Sequence, residues 1–357
     1  MHKAGHDAVL VGAHSGVLKG RIARPAYSSL TSSDWGKAMA KTPYDINLDR
    51  NPLVSCDWLS QNIGHPKLRI VDVRWRSRYE NGRGVSFDDR EGYIAGHIPG
   101  AVFSGIVNEL SDPHHPVPDM LAPPTQFAEA MSKLGIGADT LVVAYDNMGF
   151  PLGAARLWWA LNHYGHYHVR VLDGGLREWQ REGRPLSTEI PAIEPAAFVP
   201  NVQPGWLATK RDVCSALNRQ DTLLIDCLTP ELYRGSGDRH LWGQRPGHIP
   251  GAVNVPYLAN VDRELATATS EERERVLASG RSFTFSPRAE LCALYKSAGV
   301  TPERRVITYC GRGYAGACGL LALKALGHDN AQLYDGSWTE WSADPNLPVE
   351  INPDPVQ

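Results

Sequence analysis

Tyr309-Cys310-Gly311-Arg312-Gly313-Tyr314-Ala315-Gly316 is the stretch whose reading decides the fold. The apolar run Val306-Ile307-Thr308 before it predicts a buried strand, and Ala317 to Leu326 after it predicts a helix. A cysteine therefore stands at the mouth of a strand–loop–helix unit. Gly311, Gly313 and Gly316 let the backbone turn tightly around it. Such a loop points successive N–H groups inward, and the helix start adds partial positive charge. Both favour a thiolate, the nucleophilic form of cysteine. A phosphate-binding loop is the competing reading, but its Lys-Ser/Thr ending is missing.

Working outward, the rest of the chain repeats one pattern twice. Leu68 to Arg74 reads as a strand carrying an acid, Asp72, at its end, and Thr222 to Cys227 does the same with Asp226. Gly96-His97-Ile98-Pro99-Gly100-Ala101-Val102 recurs letter for letter as Gly247-His248-Ile249-Pro250-Gly251-Ala252-Val253. Leu141 to Asp146 matches Arg305 to Cys310, and Leu172 to Trp179 matches Tyr334 to Trp341. The ordered recurrence implies two homologous domains, at about 45–190 and 205–350, joined by a proline-rich connector over 191–204. Residues 1–44 read as an amino-terminal extension. Short β-branched runs alternate with helical patterns such as Pro124 to Leu134, so the fold class is α/β with a mainly parallel sheet in each domain. Ligands of such sheets sit at the carboxyl ends of strands, where Asp72, Asp146, Asp226 and Cys310 fall.

Composition narrows the function. The 357 residues carry a net charge of −3, which gives no electrostatic case for nucleic acid or a membrane surface. No apolar run reaches the roughly 18 residues needed to span a bilayer. The six cysteines are irregularly spaced, with no Cys-x-x-Cys, so neither a disulfide framework nor a zinc site is implied, and the chain reads as cytoplasmic. His114-His115 lies among prolines without ligand partners, so no metal is expected there. The run Glu271-Glu272-Arg273-Glu274-Arg275 reads as a solvated helix face.

Where the second domain has Cys310 the first has Asp146, so one copy carries the nucleophile and the other reads as a scaffold. Cys318, two helical turns on among Ala and Gly, reads as a small core residue. Arg312 is a cation placed to bind an anionic sulfur donor and to hold a thiolate. Arg234 and Arg239 are candidates for a second cation. His97 and His248 either brace a turn or act electrostatically at the site, and Asp72 and Asp226 either orient the loop or relay a proton.

On these motifs the chain resembles the tandem-domain sulfurtransferases of the rhodanese family. Further matches are Asp72-Val73-Arg74-Trp75, Ser111-Asp112-Pro113 and Ala325-Leu326-Gly327-His328. The resemblance implies two rhodanese-like domains, the first inactive, with the site in the cleft between them. It implies transfer of a donor's outer sulfur to Cys310 as a persulfide, then to cyanide or a thiol, without a cofactor. It implies Cys310 as the nucleophile and matches Asp72 and His97 to the family's acid and histidine. Arg312, which stands where the 3-mercaptopyruvate enzymes have a hydroxyl residue, is expected to join them as a catalytic cation. Gly311, Gly313, Tyr314, Ala315, Arg234 and Arg239 are expected to bind substrate, with Arg239 approximating one family arginine and Leu232 standing in place of the other. Partners would be small molecules, and a monomer suffices. The family's thiosulfate enzymes tend to have Cys-Arg-Lys-Gly and its 3-mercaptopyruvate enzymes Cys-Gly-Ser-Gly or Cys-Gly-Thr-Gly. Here the loop is Cys310-Gly311-Arg312-Gly313, and its cation points to thiosulfate as donor, with 3-mercaptopyruvate as the alternative. A sulfur carrier without turnover is a third reading. A phosphatase is disfavoured, because the residue six after Cys310 is Gly316, not arginine.

Overall fold

The computed structural model describes residues 51–80, 83–236 and 243–351, so the extension 1–44 lies outside the described residues. Twelve strands are numbered in chain order. The first half holds β1 (Leu53–Val54), β2 (Leu68–Asp72), β3 (Trp75–Glu80), β4 (Arg83–Asp88), β5 (Val102–Phe103), β6 (Leu141–Tyr145) and β7 (Val169–Leu172). The second holds β8 (Leu207–Ala208), β9 (Thr222–Asp226), β10 (Val253–Asn254), β11 (Arg305–Tyr309) and β12 (Ala331–Tyr334).

Two five-stranded sheets form, β1-β7-β6-β2-β5 and β10-β9-β11-β12-β8, with every pairing parallel. Read from its other edge, the second sheet repeats the order of the first. The central strands β6 and β11 are runs of buried Val, Ile, Ala and Tyr, as expected of strands covered on both faces. The register carries the repeat to the residue level: Asp72 pairs with Tyr145, and Asp226 with Tyr309. The β3–β4 antiparallel hairpin is an addition to the first half.

The helix Gly153–His163 after β6 and the helix Tyr314–Ala325 after β11 are buried along almost their whole length. They pack against each other, so the two halves share one core containing Val142 and Trp159 from one side and Val306 and Leu321 from the other. A helix apolar on all faces needs such a double-sided burial. The proline-rich connector lies along the first half: Ala196 and Asn201 donate their amides to the carbonyls of Ser132 and Tyr164, and Phe198 is buried against Phe127.

The charged run in the helix Ser270–Ala278 departs from a solvated face at one position. Arg273 turns inward, is 5% exposed, and donates to Glu231 at 2.8 Å. All six cysteines are free thiols. Among the described residues no helix is long and apolar enough to cross a membrane.

Candidate active site

The turn after β11 builds the cradle that its glycines foretold. Gly313, with φ of 83°, closes the loop as the residue before the helix Tyr314–Ala325. The main-chain amides of Arg312, Gly313 and Gly316 donate toward the Cys310 sulfur. The second half's own Asp-Gly-Ser motif braces the loop from outside. Cys310 N donates to Ser337 Oγ at 3.2 Å, and the amides of Trp338 and Thr339 donate to the carbonyls of Cys310 and Gly311. Gly311 and Ala315 are buried parts of the same turn.

Cys310 is only 2% exposed. Burial pushes its thiol up, the three amides pull the other way, and the buried Asp226 carboxylate adds to the rise. The amides are thus in place as expected, but desolvation outweighs them, and the thiol is harder to ionise than that of a free cysteine. Asp226 is itself pushed up to about 7 by burial, against the amide of Leu228, which donates to it at 2.8 Å. Once charged, Asp226 opposes the ionisation of Cys310. Asp226→Asn removes the charge, so the pH profile of Cys310 alkylation by iodoacetamide should move to lower pH; an unmoved profile would contradict this coupling.

The first half shows what the cradle prefers. Asp146, at the place of Cys310, is 1% exposed, and its carboxylate accepts the amides of Met148 (3.1 Å), Leu152 (3.0 Å) and Ala154 (3.1 Å). An aspartate oxygen thus sits where the other loop holds a sulfur. Burial still pushes Asp146 up to about 6.

The first half covers the cysteine loop through three contacts. Arg156, 2% exposed, donates through Nη1 to Asp335 Oδ1 at 2.6 Å and through Nη2 to the Asp119 carbonyl. A Cβ on Gly313 would lie 2.5 Å from Asp335 Oδ1 and closer still to Arg156, so the loop tolerates only glycine there. Trp75 stacks on Tyr314 with ring centroids 4.6 Å apart, and the Arg156 guanidinium lies 5.0 Å from the centre of the same tyrosine ring. Trp75 Nε1 and the Tyr314 hydroxyl are buried without a hydrogen-bond partner. Arg312 reaches across as well: Nη1 lies 3.3 Å from Asp119 Oδ2, and Nη2 donates to the Gly84 carbonyl at 2.9 Å.

The Arg312 guanidinium, Asp72 and His97 are each engaged by partners other than the Cys310 sulfur. The Arg312 guanidinium is held by Asp119 and Gly84 of the first half, and its main-chain amide donates toward the sulfur. Asp72 is bound on both oxygens by Arg74, at 2.9 Å and 2.6 Å on Oδ2 and 3.0 Å on Oδ1. It lies at the end of β2 beside Tyr145, under the Asp146 loop, and the acid acting on Cys310 is its second-half counterpart Asp226. Both ring nitrogens of His97 face carbonyls, Nδ1 that of Tyr93 (2.8 Å) and Nε2 that of Glu189 (3.0 Å). His97 thereby fastens the segment after the first domain's last helix; His248 pairs with Glu350 through its main chain, and its Nδ1 faces the Tyr233 carbonyl. Arg234 ends the helix Pro230–Arg234 on the exposed surface, and Arg239 lies outside the described residues. The site residues that sequence reasoning gave no role are Arg156, Asp119, Asp335 and Trp75. Asp335 and Trp75 carried a signal as parts of quoted motifs; Arg156 and Asp119 carried none.

Two parallel sheets in the same order, with a cysteine in an amide cradle at the end of a central strand, define a sulfur-handling α/β tandem. The rhodanese-like domain model matches residues 55–182 and 209–344, and the chain belongs to the rhodanese family. It is a sulfurtransferase. A 3-mercaptopyruvate sulfurtransferase of Escherichia coli is 36% identical over 297 residues, covering 83% of this chain and 97% of that protein. Thiosulfate/3-mercaptopyruvate sulfurtransferase 2 of Arabidopsis thaliana is 29% identical over 356 residues, 91% of this chain and 96% of that protein. The crystal structure of SseA, a 3-mercaptopyruvate enzyme of Escherichia coli, superposes with a TM-score of 0.67 at 32% identity, covering 81% of this chain and 99% of that one.

Proposed function

We propose that the protein takes sulfur from 3-mercaptopyruvate, carries it as a persulfide on Cys310, and passes it to a thiol or to cyanide. The observation that carries this choice of donor is the engagement of Arg312 with Asp119 and the Gly84 carbonyl. The expectation of thiosulfate rested on that guanidinium as a clamp for a dianion, and here it already has a carboxylate. The similarity to 3-mercaptopyruvate enzymes supports the same choice.

The chemistry balances on the residues present. Cys310 gives up its proton, and its sulfur attacks the donor's sulfur. A sulfur–sulfur bond forms, the sulfur–carbon bond breaks, and its electron pair goes to the enolate of pyruvate. One proton leaves Cys310 and one is taken up at the enolate carbon, giving pyruvate. The proton that leaves Cys310 thus balances the one that the product takes up. Cyanide then attacks the outer sulfur, the sulfur–sulfur bond breaks, and the persulfide's proton passes to solvent, leaving thiocyanate and a Cys310 thiolate that the amides of Arg312, Gly313 and Gly316 steady. The Asp146 half, having no nucleophile at its cradle, serves as the wall that closes the site. Arg234 and Arg239, between Asp226 and the second Gly-His-Ile motif, are the proposed contacts for the donor's carboxylate.

The test is steady-state turnover of the full chain with cyanide as acceptor and each donor in turn. A kcat/KM at least about tenfold higher for 3-mercaptopyruvate, some 1.4 kcal/mol in transition-state free energy, is expected. A preference for thiosulfate would overturn the choice of donor.

A further inference from the structure

Among the described residues, two that are not glycine have a left-handed backbone: Asp119 (φ 63°) and Ser337 (φ 51°). Such conformations persist where surrounding contacts hold them, and they gather at functional sites. Ser337 braces Cys310 N. Asp119 grips the same loop from the opposite domain. It is 8% exposed; its carbonyl accepts from Arg156, and its carboxylate lies 3.3 Å from Arg312 and accepts Ser86 Oγ at 3.2 Å. Four charges thus meet over the cysteine loop as two matched pairs, Arg156 with Asp335 and Arg312 with Asp119. These four charges sum to zero beside the cysteine loop.

From this arrangement we infer that Asp119 is a specificity-determining residue: by matching Arg312 it tunes the site to singly charged sulfur donors and against doubly charged ones. A 3-mercaptopyruvate anion brings one charge and thiosulfate brings two. The Asp119 charge repels the second donor twice as strongly, and in a site shielded from water that difference is not screened away. The inference rests on Cys310 being the sulfur acceptor, and its readout is a change in donor ratio, not the ratio of the wild type.

The experiment measures kcat/KM for both donors in the full chain, with cyanide as acceptor. Asp119→Asn keeps the shape and removes the charge. It should raise the thiosulfate-to-mercaptopyruvate ratio about tenfold. Arg312→Gln, which leaves Asp119 charged and unmatched, should lower that ratio. The double variant should return it to within about twofold of the wild type, because charges are then matched again. Asp119→Glu should leave the ratio near the wild type. If Asp119→Asn fails to fold, the Arg312→Gln arm still decides. A ratio that stays put in the folded Asp119→Asn protein and in Arg312→Gln, or a fall in both donors by the same factor, would overturn the inference and make Asp119 a structural pin. A wild type that prefers thiosulfate would overturn the proposed donor, while the direction of the ratio changes would still decide the role of Asp119.

Discussion

Cys310→Ser is expected to lower sulfur transfer at least roughly a thousandfold with either donor, while leaving the fold in place. The reason is chemical. A serine hydroxyl is far less acidic than a thiol, and an oxygen in its place cannot carry the persulfide. The exchange removes little volume, and the amides of Arg312, Gly313 and Gly316 would donate to the hydroxyl as they do to the sulfur. Turnover with cyanide and thermal melting of the same preparation check both halves. Residual turnover within about tenfold of the wild type would mean that another group accepts the sulfur. The other buried thiols offer no ready substitute: burial pushes Cys56, Cys227 and Cys318 up as well, and no amide cradle opposes it there.

Arg156→Ala is expected to have the largest effect on stability, about 3–5 kcal/mol, and to impair turnover with it. The pair Arg156–Asp335 is almost fully buried, 2% and 1% exposed at the side chains, and bridges the two halves. Burial works against the guanidinium, and Asp335, Tyr314 and Asp119 together more than offset it. Removing the arginine strands a carboxylate inside the protein, with only the Leu121 amide, at 2.9 Å, and a few dipoles to face. It also removes the group that packs against Gly313 and over Tyr314, so the cradle loosens where the sulfur is held. Asp335→Asn in the same background should recover part of the stability, because the stranded charge is gone. Calorimetry of the two variants checks this; a loss below about 1 kcal/mol would mean that water reaches the pair.

Much of this was legible in the chain because it is written twice. Two copies of Gly-His-Ile-Pro-Gly-Ala-Val and of the strand-end acids imposed two equal domains, and the glycines around Cys310 announced the cradle. Duplication also misled. Asp72 and Asp226 are interchangeable as letters, and only the pairing of β9 with β11 puts Asp226, not Asp72, beside the cysteine. Arg312 looked like a donor clamp because its partner lies 193 residues earlier, in a loop of prolines with no periodicity. Arg156 was hidden for a related reason: on a helix apolar on every side, one arginine gives no sign of the carboxylate 179 residues on that justifies its burial. Local pattern sets elements and their order; matched charges between distant loops become visible only when the chain is folded.

The most direct measurement is the mass of the full chain after brief exposure to 3-mercaptopyruvate, followed by peptide mapping and then by cyanide. The outcome expected is a gain of one sulfur atom, mapped to Cys310 among the six cysteines and discharged by cyanide. A chain that gains no sulfur, or gains it at another cysteine with Cys310 unmodified, would contradict it.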